Sequence, residues 1–269
     1  MDAVVCRAIA PLYSSAKIGE LADEVLFGMT MRICEQQNGF CKVETRYRYT
    51  GWVPQEYLLE CDADTWAASA LLQVSRSWVD VLDAPRVQGK RLADLPRGGR
   101  LCADPMRREE NGWTPVLLPD GAAGWAPTRC LQHMPADWHT QDPAVLRRAL
   151  CDTACSYLGT QYRWGGKTIQ GIDCSGLVSM AYLLHGITIY RDAKLKDGFS
   201  LHAIPLEEIR PADLLFFPGH VAMYLGEGLF VHSTAHDGSQ GCCIASFSPS
   251  DARFRADLRD SITAAASIF

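Results

Sequence analysis

Apolar and polar positions alternate in short runs through the first half of the chain. In the second half they cluster at helical spacing before returning to strand-like runs. In the first half, runs such as FCKVET and GWVP are broken by Asn-Gly at 38–39 and 111–112 and by Asp-Gly at 120–121, which predicts strands joined by tight hairpins. The pattern repeats. The segment from Asn38 aligns without a gap on the segment from Asn111, at a constant offset of 73 residues. Asn-Gly, an aromatic (Phe40, Trp113), Val43 and Val116, the Gly-Trp pairs at 51–52 and 124–125, Pro54 and Pro127, and Leu58 and Leu131 all recur. Upstream, ELADEV and RLADLP correspond loosely. A glycine beside a large aromatic on a strand predicts a close backbone approach. Each copy has roughly 60 to 70 residues, the size of a small β-barrel.

The first half therefore reads as two all-β domains, 1–62 and 78–132, which resemble bacterial SH3-type domains in their Asn-Gly-aromatic hairpin and Gly-Trp strand. Residues 63–77 form a connector, either a short helix or an extended link. The polar, proline-bearing stretch 133–142 reads as a linker. Beyond it, 143–269 is predicted to be α+β. Asp142 is placed to cap a helix with Pro143 at its first position. Val145, Leu146, Leu150, Ala154 and Tyr157 recur at helical spacing up to Gly159. A loop with three glycines leads to a second helix starting at Cys174, with Leu177, Val178, Ala181 and Leu184 as a buried stripe and Gly186 as its end. DLLFF, HVAMYLG and LFVHST then predict an antiparallel sheet.

At 269 residues the chain has room for two or three domains. A net charge of −5 without a basic run speaks against a nucleic-acid partner. No apolar stretch approaches the roughly 20 residues needed to cross a bilayer, so no membrane association is expected. The start, MDAVVCRAIAPLYSS, lacks the basic residues and unbroken apolar core of a signal peptide, and the expected location is the cytoplasm. Eleven cysteines, an odd number without any CxxC, predict free thiols in a reducing compartment. Cys151 and Cys155 share a helix face, but no nearby His or Cys completes a metal set. Nothing in the sequence speaks to oligomeric state.

Cys174 stands apart from the other cysteines because a thiol at a helix N-terminus meets the positive end of the macrodipole, and its pKa is expected to fall. The glycine loop before it is expected to leave room for substrate. A base is at hand: His220 opens one strand, and His232 lies twelve residues later on the next. A short turn at 226–228 would bring the second histidine behind the first, giving nucleophile Cys174, base His220 and orienting residue His232. Backbone N–H groups at the helix start would help to hold an oxyanion. The remaining histidines, His133, His139, His185, His202 and His236, read as ordinary polar residues.

The blocks YRWGG, GIDCSGLV, RPADLLFF, GHVAMYLG and FVHST, in this order, resemble the NlpC/p60 cysteine peptidases, with Ala212 where the family's P-G-D-L has glycine. The resemblance covers 143–269 and implies a papain-like α+β fold that cuts peptidoglycan peptides with no metal or organic cofactor. Two SH3-type domains ahead of it resemble the layout of γ-D-glutamyl-L-diamino acid endopeptidases. These cut after γ-D-Glu in small wall peptides with a free N-terminal L-Ala, and their first SH3-type domain closes one end of the cleft. The diamino acid, L-Lys or meso-diaminopimelate, stays open. By that resemblance the substrate-binding residues are Asp173 and Ser175, which flank the nucleophile, Asp192 and Tyr49, which help to hold the amine, and Trp164, which walls the pocket. Three alternatives are a wall-peptide or glycan binding module with an inactive peptidase domain, an acyltransferase on the same fold, and a less selective peptidoglycan endopeptidase. The intact Cys174, His220 and His232 speak against the first, and the paired SH3-type repeats against the second. An exported endopeptidase would carry a signal peptide.

Overall fold

The computed structural model describes every residue except 136 and 237. Residue 136 falls in the predicted linker, so that part of the linker lies outside the described residues. The chain divides into two compact units, Met1–Met134 and Pro135–Phe269.

The first unit contains the repeat. Its first sheet is built from β1 (Asp2–Val5), β2 (Ile9–Tyr13), β3 (Leu21–Leu26), β4 (Thr30–Gln37), β5 (Phe40–Thr45), β6 (Thr50–Pro54) and β7 (Leu58–Glu60), in the order β3-β2-β6-β5-β4-β1-β7. After helix α1 (Ala63–Ser69) comes a second sheet of β8 (Leu72–Val74), β9 (Trp78–Leu82), β10 (Arg91–Pro96), β11 (Arg100–Ala103), β12 (Trp113–Leu117), β13 (Ala123–Pro127) and β14 (Leu131–His133). Its order, β10-β9-β13-β12-β11-β8-β14, is the same with every label raised by seven. The stretch 63–77 holds both a helix and the first strand of the second sheet, because Leu72 and Gln73 pair with Leu101 and Arg100.

The repeated residues do the same work twice. Asn38 and Gly39 sit at φ +51° and +76°, and Asn111 and Gly112 at +51° and +80°. Two successive positive φ values make the hairpin turn whose twist matches the strands, and Asn-Gly adopts it at least cost. The glycine of each Gly-Trp pair is forced by packing. A Cβ on Gly51 would lie 1.9 Å from the Leu12 side chain, and one on Gly124 would lie 2.5 Å from Val81.

The two sheets share more than a connector. Phe27, from the β3–β4 turn, is buried in the second sheet's core with Val74, Val79, Leu95, Leu101 and Val116. Its carbonyl accepts from Arg100 N at 2.9 Å, and the neighbouring Gly28 carbonyl accepts from Trp66 Nε1 on α1 at 2.8 Å.

The second unit opens with α2 (Pro143–Cys155). Asp142 caps it, accepting from Ala144 N at 2.9 Å and Val145 N at 3.0 Å. Leu146, Leu150 and Ala154 are buried as the periodicity requires, whereas Val145 is 64% exposed because it lies in the first turn on the outer side. The glycine loop contains a two-stranded ribbon, β15 (Lys167–Thr168) and β16 (Gly171–Ile172), and leads into α3 (Cys174–Leu183). Helix α3 is buried nearly all round, with Ser175, Gly176, Met180 and Tyr182 covered as well as the predicted stripe, so it is a central helix and not an amphipathic surface one.

The sheet behind it comprises β17 (His202–Ile204), β18 (Leu214–Phe217), β19 (His220–Gly226), β20 (Leu229–Thr234), β21 (Gly241–Ser246) and β22 (Ala264–Ser267), with the four-residue helix α4 (Ala256–Arg259) before the last strand. Its order is β17-β22-β18-β19-β20-β21, all antiparallel. Asp213 ties α2 to this sheet. Its carboxylate accepts from Arg147 on α2 at 2.8 Å, Ser267 on β22 at 2.6 Å and Arg210 N at 2.8 Å. Ala212 keeps the turn expected of glycine at φ +74°, a left-handed conformation that strains an alanine.

Gly28 generates a prediction. It lies at φ +73°, and a Cβ there would stand 2.2 Å from the Arg100 carbonyl oxygen. Gly28→Ala therefore costs left-handed strain plus overpacking, about 2–4 kcal/mol together. Urea unfolding of the full chain followed by tryptophan fluorescence should show a transition at clearly lower urea; an unchanged curve would refute the junction described here.

Candidate active site

The site grows from the N-terminus of α3. Asp173 caps the helix and does more than cap it. Its Oδ1 accepts from Gly176 N at 2.5 Å and from the Ser175 hydroxyl at 3.2 Å, and its Oδ2 accepts from Gly165 N at 2.8 Å. Arg191 completes the set with a two-pronged contact, Nη1 to Oδ1 and Nη2 to Oδ2, each at 3.1 Å, and Nη1 also donates to Ser175 Oγ at 2.7 Å. Asp173 and Arg191 are 6% and 2% exposed, so the ion pair is shut off from water. Five protein donors engage the Asp173 carboxylate, and the Ser175 hydroxyl is bound into the same network. Both residues therefore serve by holding the helix start and the glycine loop in place.

Two of the three loop glycines, Gly166 and Gly171, pack closely instead of opening space, contrary to expectation. A Cβ on Gly166 would lie 2.4 Å from Gly171 O, and one on Gly176 would lie 2.1 Å from Gly166 O. Glycine is required at both positions because backbone packs on backbone and pins the loop against the helix.

Cys174, the first residue of α3, is 6% exposed. Burial pushes its thiol up to about 11 and the Asp173 carboxylate adds to the rise, while the backbone N–H groups of Val221 and Ser175 and the Arg191 cation pull partly back. The expected lowering by the helix end is overturned, since loss of water at this depth outweighs the macrodipole. The Val221 contact places the sulfur at the start of β19, next to His220.

His220 and His232 meet as the hairpin predicts. Met223 pairs with Val231, and carrying this register back sets His232 opposite Ala222, diagonal to His220 on the same face. Ala222 is small and buried, and the rings close to 2.8 Å between His220 Nε2 and His232 Nδ1. Nδ1 of His220 is then the nitrogen left for proton exchange with the thiol. Burial pulls His220 down to about 4, with Arg255 lowering it further and Asp257 opposing. His232 is drawn down to about 3 by burial, then by His220 and Arg255. Both rings and the thiol are thus neutral at rest. The thiolate forms during attack, as His220 takes its proton.

Two of the other predicted residues belong to the same unit. Trp164 is 63% exposed on the glycine loop. Asp192 follows Arg191 and accepts the Tyr190 hydroxyl; burial, then this carboxylate, raise that phenol. Tyr49 belongs to the first unit, where its N–H donates to Thr45 Oγ1 at 3.0 Å. Three participants were not picked out from sequence. Arg191 precedes the predicted Asp192. Tyr162 begins the YRWGG block, and its phenol is pushed up to about 12 by burial, Cys174 and Asp173. Arg255 sits in a segment without any motif.

Arg191→Met leaves the Asp173 carboxylate buried and uncompensated, at a cost of about 3–5 kcal/mol. The variant should unfold at markedly lower urea. Arg191→Lys, which keeps the charge but not the two-pronged contact, should fall between; equal stability in all three proteins would refute the pair's role.

Residues 159–248 match the model of the NlpC/P60 family, a span that includes Tyr162, Cys174, Arg191, His220 and His232. Over their full lengths this chain and the dipeptidyl-peptidase 6 of Lysinibacillus sphaericus are 39% identical. A γ-D-glutamyl-L-lysine dipeptidyl-peptidase of Bacillus cereus is 28% identical over 80% of this chain and 67% of its own. Among solved structures, an NlpC/P60 family protein from Bacillus cereus superposes with a TM-score of 0.79, covering 98% of each chain at 20% identity, and so shares the fold. The chain is a cysteine peptidase of the NlpC/P60 family.

Proposed function

We propose that this peptidase cleaves the bond between γ-D-Glu and the following diamino acid, L-Lys or meso-diaminopimelate, in wall peptides with a free N-terminal L-Ala. The product is L-Ala-D-Glu, and the setting is recycling of murein peptides in the cytoplasm. The likeness to dipeptidyl-peptidase 6, which runs the whole length of both chains and includes both β units, carries the reading.

The chemistry follows from the neutral resting site. Cys174 Sγ attacks the γ-carbonyl carbon as its proton passes to Nδ1 of His220. His232 steadies the imidazolium through the 2.8 Å contact at Nε2. Collapse of the tetrahedral intermediate expels the diamino acid's amine, which takes the proton from His220 and leaves a thioester on Cys174. Water, deprotonated by His220, then releases the dipeptide. Tyr49, Asp192 and Trp164 are the residues we assign to substrate recognition. An ammonium group needs carboxylate and hydroxyl acceptors, and these are the groups that Asp192 and Tyr49 carry.

The test compares L-Ala-γ-D-Glu-L-Lys with its N-acetylated form by mass spectrometry. The free amine should be cleaved to L-Ala-D-Glu, acetylation should lower kcat/KM by about 30-fold or more, as loss of a charge-assisted contact implies, and Cys174→Ala should abolish turnover. Equal cleavage of both peptides would discard amine recognition and keep the nucleophile.

The pH profile gives a second test. A base whose pKa is depressed stays neutral as pH falls through 6.5, so kcat/KM should hold until pH approaches about 4, the value set by burial of His220. An acid limb near 6.5 would contradict the dry, neutral histidine pair.

A further inference from the structure

Between α3 and β17 the chain runs through a loop that carries Arg191 and Asp192. Its two ends are tied together. Ser200 Oγ donates to Thr188 O at 3.2 Å, and the Tyr190 and Phe199 rings meet with their centroids 5.4 Å apart. A loop closed at its base and packed on its own side chains holds its shape without strands. Arg191 fastens this loop to the nucleophile's helix. Its guanidinium binds the Asp173 carboxylate at 3.1 Å, and Asp173 immediately precedes Cys174.

The loop holds two lysines, and both gather on one ring. Lys196 Nζ stands 4.3 Å from the Tyr190 centroid and Lys194 Nζ 5.4 Å. Both distances lie within cation–π range, so the ring offsets part of the repulsion between two like charges. Neither ammonium forms an ion pair among the described residues. Both lysines are exposed, which leaves their charges open to a ligand arriving from solution. Two ammoniums held on one side chain attract a carboxylate more strongly than either would alone.

Asp192 stands beside them. Lys194 N donates to Asp192 O at 2.7 Å, which folds 192–194 into a tight turn, and the Asp192 carboxylate accepts the Tyr190 hydroxyl. An acceptor for an ammonium group and two donors for a carboxylate thus share one turn of chain. L-Ala-γ-D-Glu presents the matching pair. Its amine is on one Cα. Because the peptide continues through the γ-carboxyl, the α-carboxylate of D-Glu stays free on the next Cα, about 3.8 Å away.

We propose that Lys194 and Lys196, gathered on the Tyr190 ring, bind the free α-carboxylate of the γ-linked D-Glu and make the enzyme selective for this acid over its α-amide. An α-linked glutamate has no carboxylate at that position, so the same contact separates γ-linked from ordinary peptides. This role deepens the peptidase reading and rests on its assignment of Asp192 to the amine.

The test separates binding from turnover. Two peptides are compared, L-Ala-γ-D-Glu-L-Lys and its α-amide, L-Ala-γ-D-isoGln-L-Lys. Their affinities for the full chain carrying Cys174→Ala are measured by titration calorimetry, and their kcat/KM on the chain with Cys174 intact. The acid should be favoured over the amide by about 10-fold or more in both measurements, as loss of a charge-assisted contact implies. Lys194→Gln with Lys196→Gln should remove most of that preference by weakening the acid alone, chiefly in KM. Lys194→Arg with Lys196→Arg should keep it, and added salt should narrow it. A loosened loop would weaken both peptides alike, so it does not mimic this result. Equal binding of acid and amide by the parent, a preference that survives the double Gln substitution, or no binding of either peptide would overturn the proposal. A binding preference that disappears with the lysines, combined with no turnover by the intact chain, would keep the role of the lysines and discard the reaction.

Discussion

The contact between Asp173 and Arg191 is the constraint on which the peptidase domain depends. One carboxylate binds the helix that carries the nucleophile, the loop that precedes it and the segment that leads to Asp192. A buried ion pair is a poor source of stability, since taking both charges out of water costs as much as their attraction returns. Its value here is geometric. The carboxylate satisfies two backbone N–H groups, a hydroxyl and both prongs of a guanidinium, and an apolar pair of the same volume could not fix three backbone segments at once.

Burial also sets the chemical character of the site. A thiol raised by lost hydration and imidazoles lowered by it make an unreactive resting enzyme. Oxidants and alkylating agents attack thiolates, so a protonated, covered Cys174 is protected until a substrate is in place. The same absence of water strengthens the influence of every nearby charge.

Much of this was legible in the residues. Asn-Gly turns, Gly-Trp pairs and the Asp142-Pro143 helix start are local devices with local signatures, and each appears where the pattern puts it. The meeting of His220 with His232 was readable because a hairpin converts sequence spacing into register. What was not legible depends on packing over distance. Nothing local marks Arg191 as the partner of Asp173, or Phe27 as a core residue of the second sheet. Short strands such as β8 and β17 carry too few residues to show a period. The role of the loop glycines was misread because close backbone packing and open space ask for the same residue. The thiol's direction was misread because depth below the surface, which outweighs the helix end, is a property of the whole domain.

Phe27 bears on how the molecule can be taken apart. The repeat in the sequence suggests two modules, each able to fold alone. Yet the second copy borrows an aromatic side chain from the first, and a fragment cut after α1 would carry a hole the size of a benzyl group at the centre of its sheet. The duplicated unit has thus ceased to be the folding unit. Either copy could be exchanged for a homologous one only if the turn carrying Phe27 and the strand that receives it travelled together.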